Sequence, residues 1–128
     1  MKYLGIDYGA KRVGLAVGTS EDGMAFPREV IPRTKDLGDV VEKYIEKEGI
    51  DEIVIGESKN LDGERNKIQD EIEDFVGEMT LLTGIPIHYE LEFLTSHQAQ
   101  KIQGKNAKLD ASAASIILQS YLDKLKNK

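Results

Sequence analysis

The chain has 128 residues, 17 of them Lys or Arg and 23 Asp or Glu, giving a formal charge of −6, and it contains no Cys. That length is one ordinary domain, able to bury about two thirds of its unfolded surface without staples, and the missing thiols exclude a disulfide framework, a Cys-based zinc site and a cysteine nucleophile. No apolar stretch approaches the roughly 20 residues of a membrane span, and the N-terminus runs into strand-like sequence rather than a signal-peptide core, so a single cytoplasmic domain over residues 1–128 is expected.

In chain order, Tyr3 to Asp7 is a short apolar run ending at Tyr8-Gly9, and Arg12 to Gly18 is a second β-type run. A turn at Glu21-Asp22-Gly23 leads to a third extended stretch from Met24 to Arg33, so the first third reads as an antiparallel meander. From Leu37 the period changes: Leu37, Val40, Val41, Tyr44, Ile45 and Glu48 follow helical spacing. Ile53-Val54-Ile55-Gly56 is wholly apolar, the mark of a strand covered on both faces. Ile68, Ile72, Phe75, Val76, Met79 and Leu82 form a second helical stripe that Gly84 is placed to end. Residues Ile85 to Glu92 predict a fifth strand; Thr95 or Ser96 can cap a short helix to about Gln103, and Asp110 can open a last helix to about Leu125. The expected order is βββαβαβαα. Right-handed crossovers then give an α/β fold with a mixed five-stranded sheet, a three-strand antiparallel meander plus two parallel strands, flanked by helices.

The acidic balance weighs against a nucleic-acid partner, because phosphate binding needs Lys and Arg. The distribution weakens that objection: residues 1–35 carry 6 basic and 4 acidic side chains and residues 97–128 carry 6 and 2, while residues 36–96 hold 17 of the 23 acids.

With no Cys and only two His, carboxylates are the chemistry left. Asp7 ends the first strand, Glu92 the fifth, and Asp110 opens the last helix; strand and helix ends are where an α/β sheet presents ligands. Asp7 shares a strand face with Tyr3 and Gly5. Asp110 lies one turn before Ala113 and Ala114, whose small side chains would let the helix approach the sheet and bring Asp110 towards Asp7. Gathered carboxylates need a cation, and hard oxygen ligands suit Mg²⁺ or Mn²⁺. Taken singly, each residue has a plainer reading: Asp7 as a turn residue, Asp110 as an N-cap, Glu92 as a solvated strand end.

Together the segments resemble the YqgF family, described as candidate Holliday-junction resolvases or pre-16S rRNA nucleases within the ribonuclease H-like superfamily. The likeness covers essentially the whole chain. It rests on Gly5-Ile6-Asp7-Tyr8-Gly9-Ala10-Lys11-Arg12-Val13-Gly14-Leu15-Ala16-Val17, on Asp51 to Gly56 with Lys59-Asn60-Leu61-Asp62-Gly63, on Glu92-Phe93-Leu94-Thr95-Ser96, and on Asp110 to Gln119. The resemblance implies a ribonuclease H-like nuclease in which Asp7, Glu92 and Asp110 bind Mg²⁺ or Mn²⁺ and cut structured nucleic acid by a two-metal mechanism. It implies pre-16S rRNA 5′-end processing in ribosome maturation, with resolution of branched DNA in recombination or repair as the alternative.

Three departures stand out. Phe93 replaces the Arg that usually follows the Glu, removing a guanidinium that could pair with phosphate, and Gly56-Glu57-Ser58 replaces the usual Gly-Leu-Pro. Glu57 thereby becomes a candidate extra ligand, against the reading of a solvated loop residue. The loop from Gly104 to Lys108 is shorter than is usual in the family, although Lys105 and Lys108 keep it basic. Candidate phosphate contacts are Lys11, Arg12, Lys59, Lys105 and Lys108, each beside a proposed carboxylate or loop at that edge; each is also an ordinary solubilising residue. Thr95 and Ser96 read as capping residues, His97 as a surface residue or phosphate contact, and His88 as strand decoration. Lys124, Lys126 and Lys128 complement a helix C-terminus.

Two other functions compete. The Asp-x-Gly opening also resembles the phosphate loop of actin-like and sugar-kinase ATPases, which need two large domains to enclose ATP. A non-catalytic RNA-binding module of ribosome maturation would accommodate the changes at Phe93 and Glu57. A monomer and a homodimer are equally compatible with the residues.

Overall fold

The computed structural model describes residues 1–57, 67–91 and 109–127, with residues 109–112 as backbone. Five strands form one sheet: β1 (Lys2–Tyr8), β2 (Arg12–Thr19), β3 (Met24–Pro32), β4 (Glu52–Glu57) and β5 (Ile87–Leu91). The order across the sheet is β3-β2-β1-β4-β5. Strands β1, β2 and β3 pair antiparallel, while β4 runs parallel to both β1 and β5. The mixed α/β architecture expected from the sequence is therefore present, with β1 at its centre.

Three helices accompany the sheet among the described residues: α1 (Leu37–Glu48), α2 (Lys67–Thr83) and α3 (Leu109–Lys126). The apolar stripes explain their placement. Leu37, Val41 and Ile45 of α1 and Ile72, Phe75 and Met79 of α2 are buried with Leu4, Ile6, Tyr8, Val13, Leu15, Val17, Ile53 and Ile55 on one face of the sheet. Ala114, Ile117, Leu118 and Leu122 of α3 are buried with Tyr3, Ala16 and Val54 on the other. Ile53, Val54 and Ile55 are at most 1% exposed, as a strand sandwiched between two helical layers must be. Fully burying one such aliphatic side chain contributes about 1.5–3 kcal/mol.

Helix ends follow the glycines. Gly49 caps α1 with φ of 69°, and its neighbour Ile50 donates to the Ile45 carbonyl at 3.0 Å; Gly84, also at φ of 69°, follows α2 and donates to Thr80 O at 3.0 Å. Left-handed backbone of this kind is cheap only for Gly. Strand β3 is an edge strand with a register shift opposite Leu15 and Ala16, which leaves Arg28 as the extra residue beside Pro27; proline, lacking an N–H, is confined to such edge and bulge positions. The fifth strand starts at Ile87 rather than at the expected Ile85, although Pro86 O still accepts a bond from Ile53 N at 2.9 Å. The expected short helix between about Thr95 and Gln103 lies outside the described residues.

Candidate functional site

Because β1, β4 and β5 are parallel, their C-terminal ends Tyr8, Glu57 and Leu91 lie along one edge of the sheet. Asp7 stands at that edge on the central strand. Alternation places it with Tyr3 and Gly5 on the face that α3 covers, while Leu4, Ile6 and Tyr8 point towards α1 and α2. In the sheet Asp7 pairs with Gly14 on β2. On its other side Ile6 pairs with Ile55, so the next step along both strands sets Asp7 level with Gly56. Both lateral neighbours of Asp7 on this face are therefore glycines, and Asp7 itself is partly exposed.

Helix α3 runs antiparallel to β1. A Cβ added at Gly5 would lie 2.8 Å from Leu118 Cβ and 2.9 Å from Ala114 O, and one added at Gly18 would lie 3.1 Å from Leu122 Cδ1. Gly18 pairs with Tyr3, so the helix travels from the Asp7 end of β1 towards its start. Ala113 and Ala114 are buried at 3% and 0% exposure; the close approach expected of these small residues is observed. Asp110 belongs to the first turn of α3, four residues before Ala114, and its backbone sits towards the edge that carries Asp7. Glu92, the third expected carboxylate, lies outside the described residues, as do Lys59, Thr95, Ser96, His97, Lys105 and Lys108. Among the described residues no three His, Asp or Glu side chains gather into a cluster able to hold a metal ion.

Glu57 reaches the same edge with the opposite parity. It alternates with Ile53 and Ile55, so it belongs to the α1/α2 face of β4, and Gly56 is the β4 residue beside Asp7. The next residue on the Asp7 side of the sheet is Glu90, paired with Gly56. Glu90 is 5% exposed, accepting Ser120 Oγ at 2.6 Å and an ion pair from Lys124 Nζ at 2.7 Å, both from α3. Lys124, expected only to complement the helix dipole, thus neutralises a buried carboxylate. His88, on the same parity, pairs with Glu52 and stacks on Tyr121 with ring centroids 5.1 Å apart.

Lys11, on the turn between β1 and β2, and Arg12, the first residue of β2, are exposed, four and five residues after Asp7. The sequence singled out neither Arg33 nor Glu71, yet both hold this turn. Arg33 Nη1 donates to Ala10 O at 3.2 Å, more weakly to Gly9 O at 3.4 Å, and to Glu71 Oε2 at 3.2 Å. Its guanidinium lies 4.8 Å from the centre of the Tyr8 ring, which packs on Phe75. The bond that it donates to Glu71 raises the Arg33 pKa further. Burial pushes the Tyr8 phenol up against the opposing pull of Arg33. A lone Arg after Pro32 carries no local signal of this role; only the meander brings it under the turn.

Comparison with known proteins agrees with this layout. The profile of the RuvX family, described as Holliday junction resolvase, matches residues 1–124. A protein of Maridesulfovibrio salexigens, named as a candidate pre-16S rRNA nuclease, is 37% identical over 95% of this chain and 98% of its own. Among solved structures, RuvC of T. thermophilus in complex with a Holliday junction substrate superposes with a TM-score of 0.64 at 15% identity, covering 98% of this chain and 96% of its own. The Holliday junction resolvase of fowlpox virus gives 0.62 at 15% identity, with 98% and 99% covered. At such identities these two structures show the shared fold alone.

Proposed function

The chain belongs to the RuvX family, and from that premise we propose that it is a metal-dependent nuclease hydrolysing phosphodiester bonds in structured nucleic acid, with the 5′ end of pre-16S rRNA as its substrate. The observation that carries this reading is Asp7, on the central strand between two glycine positions, facing the helix whose first turn contains Asp110. The donor set fits a hard divalent ion. Carboxylate oxygens without Cys or a clustered His are the ligands that Mg²⁺ or Mn²⁺ takes.

In this proposal Asp7, Glu92 and Asp110 hold the metal, and the ions supply the charge that activates water and stabilises the departing oxygen, as in other two-metal sites. The ladder on both sides of β1 fixes the backbone of Asp7, so its side chain leaves the sheet in one direction, between Gly14 and Gly56. Lys11, Arg12, Lys59, Lys105 and Lys108 contact phosphates beside the cleaved bond. Glu57, of opposite parity but at the very end of β4, is the candidate extra ligand, able to join only through its long side chain.

The rRNA assignment draws on the name of the 37% identical relative. Branched DNA is the second reading, favoured by the family description. Purified protein incubated with an RNA carrying the 16S precursor 5′ end, and separately with a four-way DNA junction, distinguishes them. Cleavage of the RNA with Mg²⁺ or Mn²⁺, abolished by chelator, is the expected result. Cleavage of the junction alone would replace the rRNA assignment, and cleavage of neither would remove the nuclease reading.

A further inference from the structure

The carbonyls of three successive turn residues, Gly9, Ala10 and Lys11, all accept bonds from one residue. Arg33 Nη1 serves the first two, and the Arg33 backbone N–H donates to Lys11 O at 3.0 Å. Glu71 anchors the guanidinium from α2, and both partners are largely screened from water, with side chains 23% and 33% exposed. Cavities of about 280 Å³ and 350 Å³ are each lined by both Arg33 and Glu71. Among the described residues the pair is a polar strut crossing a groove. The turn above it is held to α2 by these directed bonds. That turn presents Lys11, four residues after Asp7.

We propose that Arg33 is a positioning residue for substrate: tied to α2 by Glu71, it fixes the Gly9–Lys11 turn so that Lys11 meets a phosphate beside Asp7. The proposal rests on the nuclease reading. It separates geometry from charge, because a lysine at position 33 keeps the positive charge but not the planar fork that reaches two carbonyls and a carboxylate together. Displacing a substrate-contacting group by about an ångström is enough to cost up to about a hundredfold.

The test measures steady-state cleavage by full-length Arg33→Ala, Arg33→Lys and Lys11→Ala proteins and by the Arg33→Ala/Lys11→Ala double variant, with amide exchange followed at residues 9–12. Both Arg33 variants are expected to raise KM about tenfold, to change kcat by less than about threefold, and to speed exchange in the turn. In the Lys11→Ala background, Arg33→Ala should add nothing further to KM, as expected for two residues acting in series. An Arg33→Lys enzyme with unchanged KM would overturn positioning in favour of a simple charge effect. Full additivity in the double variant would overturn the route through Lys11. Should Arg33→Ala fail to fold, Glu71→Gln replaces it, with the same expectations on KM and exchange; unaltered values there sink the strut. A wild-type protein that neither binds nor cleaves nucleic acid overturns the nuclease reading itself, whereas a cleaving wild type with unchanged variants overturns only the role of Arg33.

Discussion

In the proposed site Asp7 is the central carboxylate: it ends the middle strand between glycine positions, Tyr8 points the other way, and α3 begins towards its edge. Asp7→Asn keeps the side-chain shape and removes the charge that would hold a divalent ion. Losing that ion's transition-state stabilisation, several kcal/mol, should lower cleavage by about a thousandfold or more. Melting temperature and circular dichroism should stay close to wild type, while Mn²⁺ binding measured by calorimetry weakens. An undiminished rate in pure Asp7→Asn protein would send the search for the site elsewhere. The place of Asp7 near a strand end is legible in the sequence because an acid ending an apolar run needs no tertiary information to stand out. The roles of Arg33 and Glu90 are not. Each becomes informative only when a distant element supplies its partner, Glu71 on α2 for Arg33 and Lys124 on α3 for Glu90.

At the level of elements, the contact between β1 and α3 sets how near Asp110 can come to Asp7. Gly5 is the point of closest approach, with Ala114 O and the Leu118 side chain against it. Gly5→Ala would place a methyl group 2.8 Å from Leu118 Cβ and 2.9 Å from a backbone oxygen, and the oxygen cannot yield without the helix. Overpacking of this type costs about 1–3 kcal/mol. A lowered melting temperature is expected together with cleavage reduced by up to about a hundredfold, because the helix carrying Asp110 is pushed outward. Full activity in a destabilised Gly5→Ala protein would mean that α3 does not set the geometry of catalysis. Most elements were readable beforehand: Leu37 to Glu48 and Ile68 to Leu82 kept strict helical spacing, and the run Ile53–Ile55 could satisfy two apolar faces at once. The order of strands was not readable residue by residue, since it depends on which edges pair. The fifth strand begins two residues after the apolar run does, because Ile85 and Pro86 precede the ladder to β4.

Across the whole molecule, the sheet separates charge from site. The exposed acids Asp39 and Glu46 of α1, and Asp70, Glu73, Asp74 and Glu78 of α2, lie on the helices behind the face that carries Asp7. Asp74 and Glu78 nevertheless line a groove with Tyr8 and Arg33 beneath the Gly9–Lys11 turn, so part of this acidity reaches the edge, and salt screens what acts through solvent over about 10 Å at 0.1 M. The net charge of −6 is thus unevenly felt across the surface. What limits binding is the number of cations at the edge. With Lys11, Arg12, Lys59, Lys105 and Lys108 as the complete set of phosphate contacts, five at most, the logarithm of affinity should fall against the logarithm of salt with a slope no steeper than about −4.5 on duplex and about −3.5 on single strands. Fluorescence anisotropy with catalytically inert Asp7→Asn protein, titrated from low to moderate salt, measures that slope directly. Lys11→Ala should make it shallower by about one on a duplex, because one released counterion per neutralised phosphate is lost. A slope steeper than the bound would require cations beyond this edge, and the basic end of α3, with Lys126, would then have to belong to the nucleic-acid footprint.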